Sequence, residues 1–326
     1  MTAFSSGPQT GFTRISCACG ADALRLSPPI MSSHFRLRPP LTAALLILAA
    51  AVRVSSRALA DQVVSTPQAP VVVIHSSAGL VTVARGDDGA VRVVGGDGPT
   101  ASTFQITGRG GLLLPRDTGF PSRRLTLPGV REGTTGVRVD NPGGDMTVYV
   151  PHRVAAVLLK LDDGDAALSQ FRGPYVVVSN GGSVDLTALF GFGHVRTTSG
   201  RVTIERVGGN LRVETTSGSV MATGMMPERA EIRTQNGDID WTFARLGGGP
   251  YRFASGAGNV RLGFAAVMPA NIDAQSTQGT VVNRFARTAS VRFRSPHAMS
   301  MSLAGGGPEI TATSASGIVE VGPRKK

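Results

Sequence analysis

Cysteine is nearly absent. The chain of 326 residues holds two, Cys17 and Cys19, and none follows. A disulfide framework and thiol chemistry are thereby excluded for everything after residue 19, where stability must come from packing. Aromatic side chains are scarce at 5%, with a single Trp, whereas glycine is abundant at 42 residues. That balance argues against a helical or doubly wound enzyme core and suits short strands separated by many turns. Lysine is also rare: beyond residue 60 only Lys160, Lys325 and Lys326 occur. The formal charge of +11 shrinks when the first 60 residues, with six Arg against Asp22, are set aside. What remains is 27 basic and 21 acidic residues, spread along the chain. A nucleic-acid footprint would be gathered on one face or helix, so no nucleic-acid partner is expected.

Long apolar runs are limited to one. Leu41 to Val52 is uncharged, preceded by Arg36 and Arg38 and followed by Ala58-Leu59-Ala60 before Asp61. This is the layout of an export signal with a small-x-small cleavage site at Ala60. Its twelve residues fall short of the ~20 that a spanning helix needs. The mature chain should therefore have no transmembrane span and be exported to the periplasm or cell surface; an uncleaved anchor is the alternative. A signal starting at Met1 would be unusually long. The expected organisation is then an upstream extension over 1–30, starting translation at Met31, and a signal peptide over 31–60.

What is present is a repeat. Thr197-Thr-Ser-Gly-Arg-Val returns 18 residues later as Thr215-Thr-Ser-Gly-Ser-Val. The turn glycine recurs at Gly144, Gly164, Gly182, Gly200, Gly218, Gly237, Gly258, Gly279 and Gly317, at intervals of 18 to 21 and a last one of 38. Ala298 would split that last interval in two. Two residues after the glycine the column reads Met146, Ala166, Val184, Val202, Val220, Ile239, Val260, Val281 and Val319. Five before it stand Val139, Leu159, Val177, Val195, Val213, Ile232 and Phe253, with polar residues between. Alternation of period two marks half-buried strands, and a fixed period near 20 residues marks a solenoid. Three before the glycine the column turns small and polar, from Asn141 through Ser179, Thr197 and Thr215 to Ser314. These are corner residues rather than nucleophiles. An outer-membrane barrel needs strands of about 9–11 residues, longer than these runs.

The expected fold is all-β: a β-solenoid, a single stack of about ten rungs of 18–21 residues over 137–322, with an irregular N-terminal cap region. Residues 61–136 would supply a first rung (Val72 to Val83), a hairpin strand and an insertion over 95–135 rich in Gly and Pro. The weak rung at Pro296-His297-Ala298 and the basic tail 323–326 would blunt the far end.

The strand ending in Val148-Tyr-Val-Pro151, followed by Asn180-Gly-Gly-Ser-Val184, Ser199-Gly-Arg-Val202, Ser217-Gly-Ser-Val220 and Asn236-Gly-Asp-Ile239, resembles the bacterial putative-adhesin family over about residues 61–322. The resemblance implies a β-solenoid, an adhesin-like role and no catalytic residues to transfer. It departs in the spacing of 21 on either side of Gly258 and in the weak rung at Ala298.

Few residues read as chemistry. Asp162-Asp163-Gly164-Asp165 lacks calcium-loop spacing, and His75, His152, His194 and His297 lack metal-ligand spacing. Gly247-Gly-Gly249 and Gly305-Gly-Gly307 are turns, without the Lys-Ser/Thr of a phosphate loop. Asp238 and Asp240 flank Ile239 on one strand and are the candidate pair for a carbohydrate-active β-helix. Outward arginines, including Arg201, Arg252 and Arg261, offer a binding surface, although Arg196, Glu214 and Arg233 in one column read as a mutually neutralised ladder. No cofactor or metal is expected. The favoured reading is a non-catalytic exported module, an adhesin-like binding or scaffold protein that meets a cell-envelope component or a protein partner. A glycan-cleaving enzyme and an envelope-stress sensory domain are the alternatives.

Overall fold

The computed structural model describes residues 61–66, 69–106, 112–113, 124–125, 127, 130–285 and 289–324. The proposed upstream extension, the signal segment, both cysteines and Lys325–Lys326 lie outside the described residues. Within them every regular element is a strand, and ten strand–turn–strand rungs are present. In each, the strand before the turn glycine joins a leading sheet and the strand after it joins a trailing sheet. In the Gly182 rung these are Tyr175–Ser179 and Val184–Thr187. Neighbouring rungs pair in parallel and in register, so Val177 meets Val195, which meets Val213, and Val184 meets Val202, which meets Val220. The repeat columns of the sequence thus become rows of contacting side chains between the two sheets, all of them buried. One 15-residue strand, Val220–Thr234, runs through both sheets without a break.

Rung order departs from chain order at both ends. Val71–Ser76 lies between Thr135–Asn141 and Ala156–Leu161, and Val81–Arg85 lies between Met146–Val150 and Ala166–Ser169. The Gly79 rung, expected outside the main stack, is therefore its second member. At the other end Glu309–Ser314 sits between Tyr251–Ser255 and Ala270–Ser276, and Val319–Pro323 between Val260–Phe264 and Val281–Asn283. The Gly317 rung is interior too, so residues 322–324 do not blunt an end.

Antiparallel strands do that instead. Ala289–Arg294 and Ala298–Leu303 form a hairpin against Ala270–Ser276, which corrects the expected rung at Ala298 and accounts for the interval of 38. Its Val291 and Phe293 occupy columns that are buried elsewhere, yet here they are exposed. At the first end Thr100–Gln105 runs antiparallel to Thr135–Asn141, and Ala90–Gly95 to Met146–Val150, with Asp61–Ser65 outside it. Antiparallel covers of this kind deny a parallel stack the edge on which further rungs could add.

The corner glycines have a shared steric reason. A Cβ on each except Gly144, in the first rung, would strike the carbonyl oxygen of the turn glycine in the adjacent rung: Gly182 on Gly164, Gly200 on Gly182, Gly258 on Gly237, Gly317 on Gly258 and Gly279 on Gly317. Conformation is a second reason only in part of the column. Gly200 has φ +96°, whereas Gly218 and those after it keep φ outside the left-handed region. The hydroxyl column changes with it. Thr197 donates to Ser199 O, but Thr215 accepts from Gly218 N at 2.8 Å. Ser255 accepts from Gly258 N at 2.8 Å and donates to Gly237 O at 2.9 Å. The two Thr-Thr-Ser-Gly copies therefore fold into different turns.

The opposite corner holds a column invisible to the glycine count. Gln170, Ala188, Arg206 and Gly224 all have positive φ, at 61°, 53°, 53° and 65°. Core filling follows rung length. The 18-residue rungs are packed mainly by Val, Leu and Ile, with Phe171 and Tyr175 as their aromatics, while the longer ones hold Trp241, Phe243, Tyr251, Phe253 and Phe264 in edge and tilted contacts, such as Trp241–Phe253 at 5.2 Å and Phe243–Tyr251 at 5.3 Å. Tyr175 covers the space left by Gly193, its partner in register.

A second apolar cluster lies on the outer side of the leading sheet. Val71, Val73, Ala156, Leu158 and Val176 are buried there under Ile106 and Leu127. The strands Val71–Ser76 and Ala156–Leu161 are accordingly apolar on both faces, as strands covered on both sides are. The 95–135 insertion thus contributes a cover over a sheet face.

Replacing Gly200 by Ala should destabilise the chain by about 3 kcal/mol, because backbone on the next rung cannot yield to a side chain. Gly224→Ala, whose nearest non-local atom would be Arg206 Cγ at 3.4 Å, should cost only about 1 kcal/mol of left-handed strain. Urea midpoints of the two variants check the difference.

Candidate functional site

The acidic residues singled out in the sequence are used by the stack in a regular way. The position after the turn glycine lies at a corner, where its carboxylate or amide reaches the backbone N–H of the next rung. Asp165 Oδ1 accepts from Ser183 N at 2.6 Å, Asp238 Oδ1 from Asn259 N at 2.7 Å, and Asn259 Oδ1 from Ile318 N at 2.8 Å. Asp238 is thus engaged at a corner. Asp240 stands on the outer face of the trailing sheet, in register with Arg261 and, beyond it, Glu320. The candidate pair is split between two environments.

The run Asp162 to Asp165 divides in the same manner. Asp162 binds Lys160 Nζ at 2.8 Å and His75 Nε2 at 2.9 Å, and Asp163 accepts from Gly164 N at 2.9 Å. The hydrogen bond from Lys160 is the main cause holding the Asp162 carboxyl below its ordinary range; burial opposes it and His75 assists.

The outer face of the leading sheet carries the arginine column. Glu214 is bound by Arg212, its neighbour on the same strand. Glu231 takes Arg233 at 2.6 Å and Arg212 at 3.8 Å. The neutralising partners therefore run along each strand and straight across from Arg212 to Glu231, its partner in register, whereas pairing down the Arg196–Glu214–Arg233 column was expected. Burial would raise the Glu214 carboxyl, but Arg212 outweighs it and the net shift is downward. Burial lowers the neighbouring His194, partly offset by Glu214. His75, His152, His194 and His297 fall on separate rungs and corners. Among the described residues no group of three or more His, Cys, Asp or Glu could hold a metal ion.

Two grooves open on the outer face of the trailing sheet, one near each end. The first, of about 600 Å³, has Gly263 and Gly322 as its bare floor, with Asp240, Arg261, Arg284 and Arg324 around it. Arg284 is tied to Glu320 at 3.1 Å. The second, of about 750 Å³, surrounds Tyr149 with Val63, Arg85, Asp87, Arg92 and Gln170. Sequence reasoning passed over this groove, although the alternation of Met146–Val150 does put Tyr149 outward between the buried Val148 and Val150. What could not be foreseen is that the Gly79 rung is displaced to its side. Between the grooves the face carries mostly small side chains, among them Thr82, Ala167, Ser169, Thr187 and Thr203, together with Asp185, Glu205 and the exposed Met221.

The family model described as Toastrack DUF4097 matches residues 114–321. Among curated proteins none matches. A solved structure described as a "putative cell adhesion protein" from Clostridium sporogenes ATCC 15579 aligns at 8% identity over 82% of this chain and 100% of its own, with a TM-score of 0.27. Among the described residues no helix is long and apolar enough to cross a membrane.

Because the folded state keeps Asp162 ionised to lower pH than the unfolded chain does, its contribution to stability is complete above the ordinary aspartate value of about 3.9 and is lost as pH falls through the depressed folded value. The thermal midpoint of Asp162→Asn should therefore fall less steeply than that of the parent below about pH 4, as melting curves across that range will show.

Proposed function

The chain belongs to the Toastrack DUF4097 family, and we propose that it acts as an exported, non-catalytic binding or scaffold module of the cell envelope. The observation that carries this reading is the outer face of the trailing sheet. It is a continuous, register-locked surface, formed by parallel strands from Met146–Val150 through to Val281–Asn283 and grooved near both ends. A preformed surface loses little conformational freedom on binding, which favours recognition over chemistry that needs a closing lid. The engagement of Asp238 with a backbone N–H on the neighbouring rung supports the same side, since a general acid or base must be available to its substrate.

The proposed mature chain, residues 61–326, should recover a component from bacterial cell-envelope fractions in a pull-down, and recovery at background level would overturn the proposal. An Asp238→Asn/Asp240→Asn double variant should bind as the parent does. If the parent instead cleaved a glycan and this variant did not, the glycan-cleaving alternative would replace it.

A further inference from the structure

The groove around Tyr149 has a composition that specifies its ligand more closely than the general reading does. Four strands run side by side there, and their register sets Ala84, Tyr149, Arg92 and Val63 in one row on the outer face of the trailing sheet. Two members of the row are apolar platforms: the half-buried Tyr149 ring, and Val63, which is 61% exposed. On the side of Tyr149 away from Arg92 stand only Ala84 and Gly86, where a methyl at Gly86 would come within 2.7 Å of Tyr149 Cβ.

The rim is polar and balanced. Arg92 is committed to Asp61, by a hydrogen bond from Nε at 2.9 Å and an ion pair from Nη2 at 2.6 Å. Arg85, Asp87 and Gln170 line the same groove, and their side chains make no hydrogen bond or ion pair among the described residues. They present a cation, an anion and an amide, so donors and acceptors are both on offer with no net excess of charge.

We infer that this groove binds a neutral hexopyranose-containing glycan, with one sugar ring laid on Tyr149, its hydroxyls met by Arg85, Asp87 and Gln170, and a neighbouring sugar reaching Val63 on the far side of Arg92. A pyranose has an apolar C–H face and an equatorial belt of hydroxyls that both donate and accept, which is the division of this groove into platform and rim. An anionic ligand fits less well, because Asp87 faces it and the Arg92 charge is already neutralised by Asp61. A peptide strand would add along the free edge of Asp61–Ser65, whereas Tyr149 lies on the sheet face two strands in from that edge.

The inference rests on the reading of the chain as an envelope-binding module, and its test separates the two. The proposed mature chain is titrated calorimetrically with cellotetraose, chitotetraose and maltotetraose as neutral probes and with tetragalacturonate as the anionic one. At least one neutral probe should bind, and Tyr149→Ala should weaken it about tenfold, the loss expected for uncovering one apolar platform. Tyr149→Phe should bind within about threefold of the parent, because the stacking face is kept. Gln170→Ala and Asp87→Ala should each weaken binding without lowering the melting temperature; they serve if Tyr149→Ala fails to fold. Binding of tetragalacturonate alone, binding of none of the four, or neutral binding indifferent to Tyr149→Ala and Gln170→Ala would each overturn the site. If envelope fractions are still retained in those cases, the site fails and the module stands. Loss of envelope retention in the parent itself removes the broader reading.

Discussion

Everything in this structure depends on how closely adjacent rungs approach at one corner. There the carbonyl oxygen of each turn glycine occupies the space that a side chain on the next turn glycine would need. Strand spacing in a sheet is fixed by hydrogen bonds at about 4.8 Å, so the corner cannot relax without parting two ladders at once. Glycine at each of these positions is the condition for keeping both sheets in register. The Ser/Thr column next to it then satisfies corner N–H and C=O groups that would otherwise be buried without partners. Asp165, Asp238 and Asn259 do the same one residue beyond the glycine.

Much of this was legible in the sequence because the repeat records contacts between neighbours. Columns read from single residues, such as Val177, Val195 and Val213, became rows in register. What stayed hidden was information carried by no column. The identical Thr-Thr-Ser-Gly segments adopt different turns, and that switch coincides with the lengthening of the rungs beyond 18 residues. Local sequence does not separate them. The displaced Gly79 and Gly317 rungs were hidden for a related reason, since a rung that fits the columns can be inserted anywhere in the stack. Only pairing shows that each is the second member from its end.

The candidate sites follow the same division. Residues that obey the repeat strictly are spent on the stack, Asp238 among them. The grooves open where the repeat relaxes: at Gly263 and Gly322, where outward side chains are missing, and at Tyr149, where antiparallel strands replace a further rung. Tyr149 was visible as an outward aromatic, but its neighbours Val63, Arg85 and Arg92 come from chain segments that only the fold unites.

The displaced rungs also make the molecule unequal under load. On the C-terminal side the last strand, Val319–Pro323, is held between Val260–Phe264 and Val281–Asn283, parallel to both. Traction applied there must shear two ladders together. On the N-terminal side Asp61–Ser65 is an edge strand with one partner, Ala90–Gly95, and traction there meets a single ladder. A tether on the C-terminal side would therefore transmit force into the whole stack, whereas one on the N-terminal side would yield first at its outermost strand, next to Tyr149 and the groove around it.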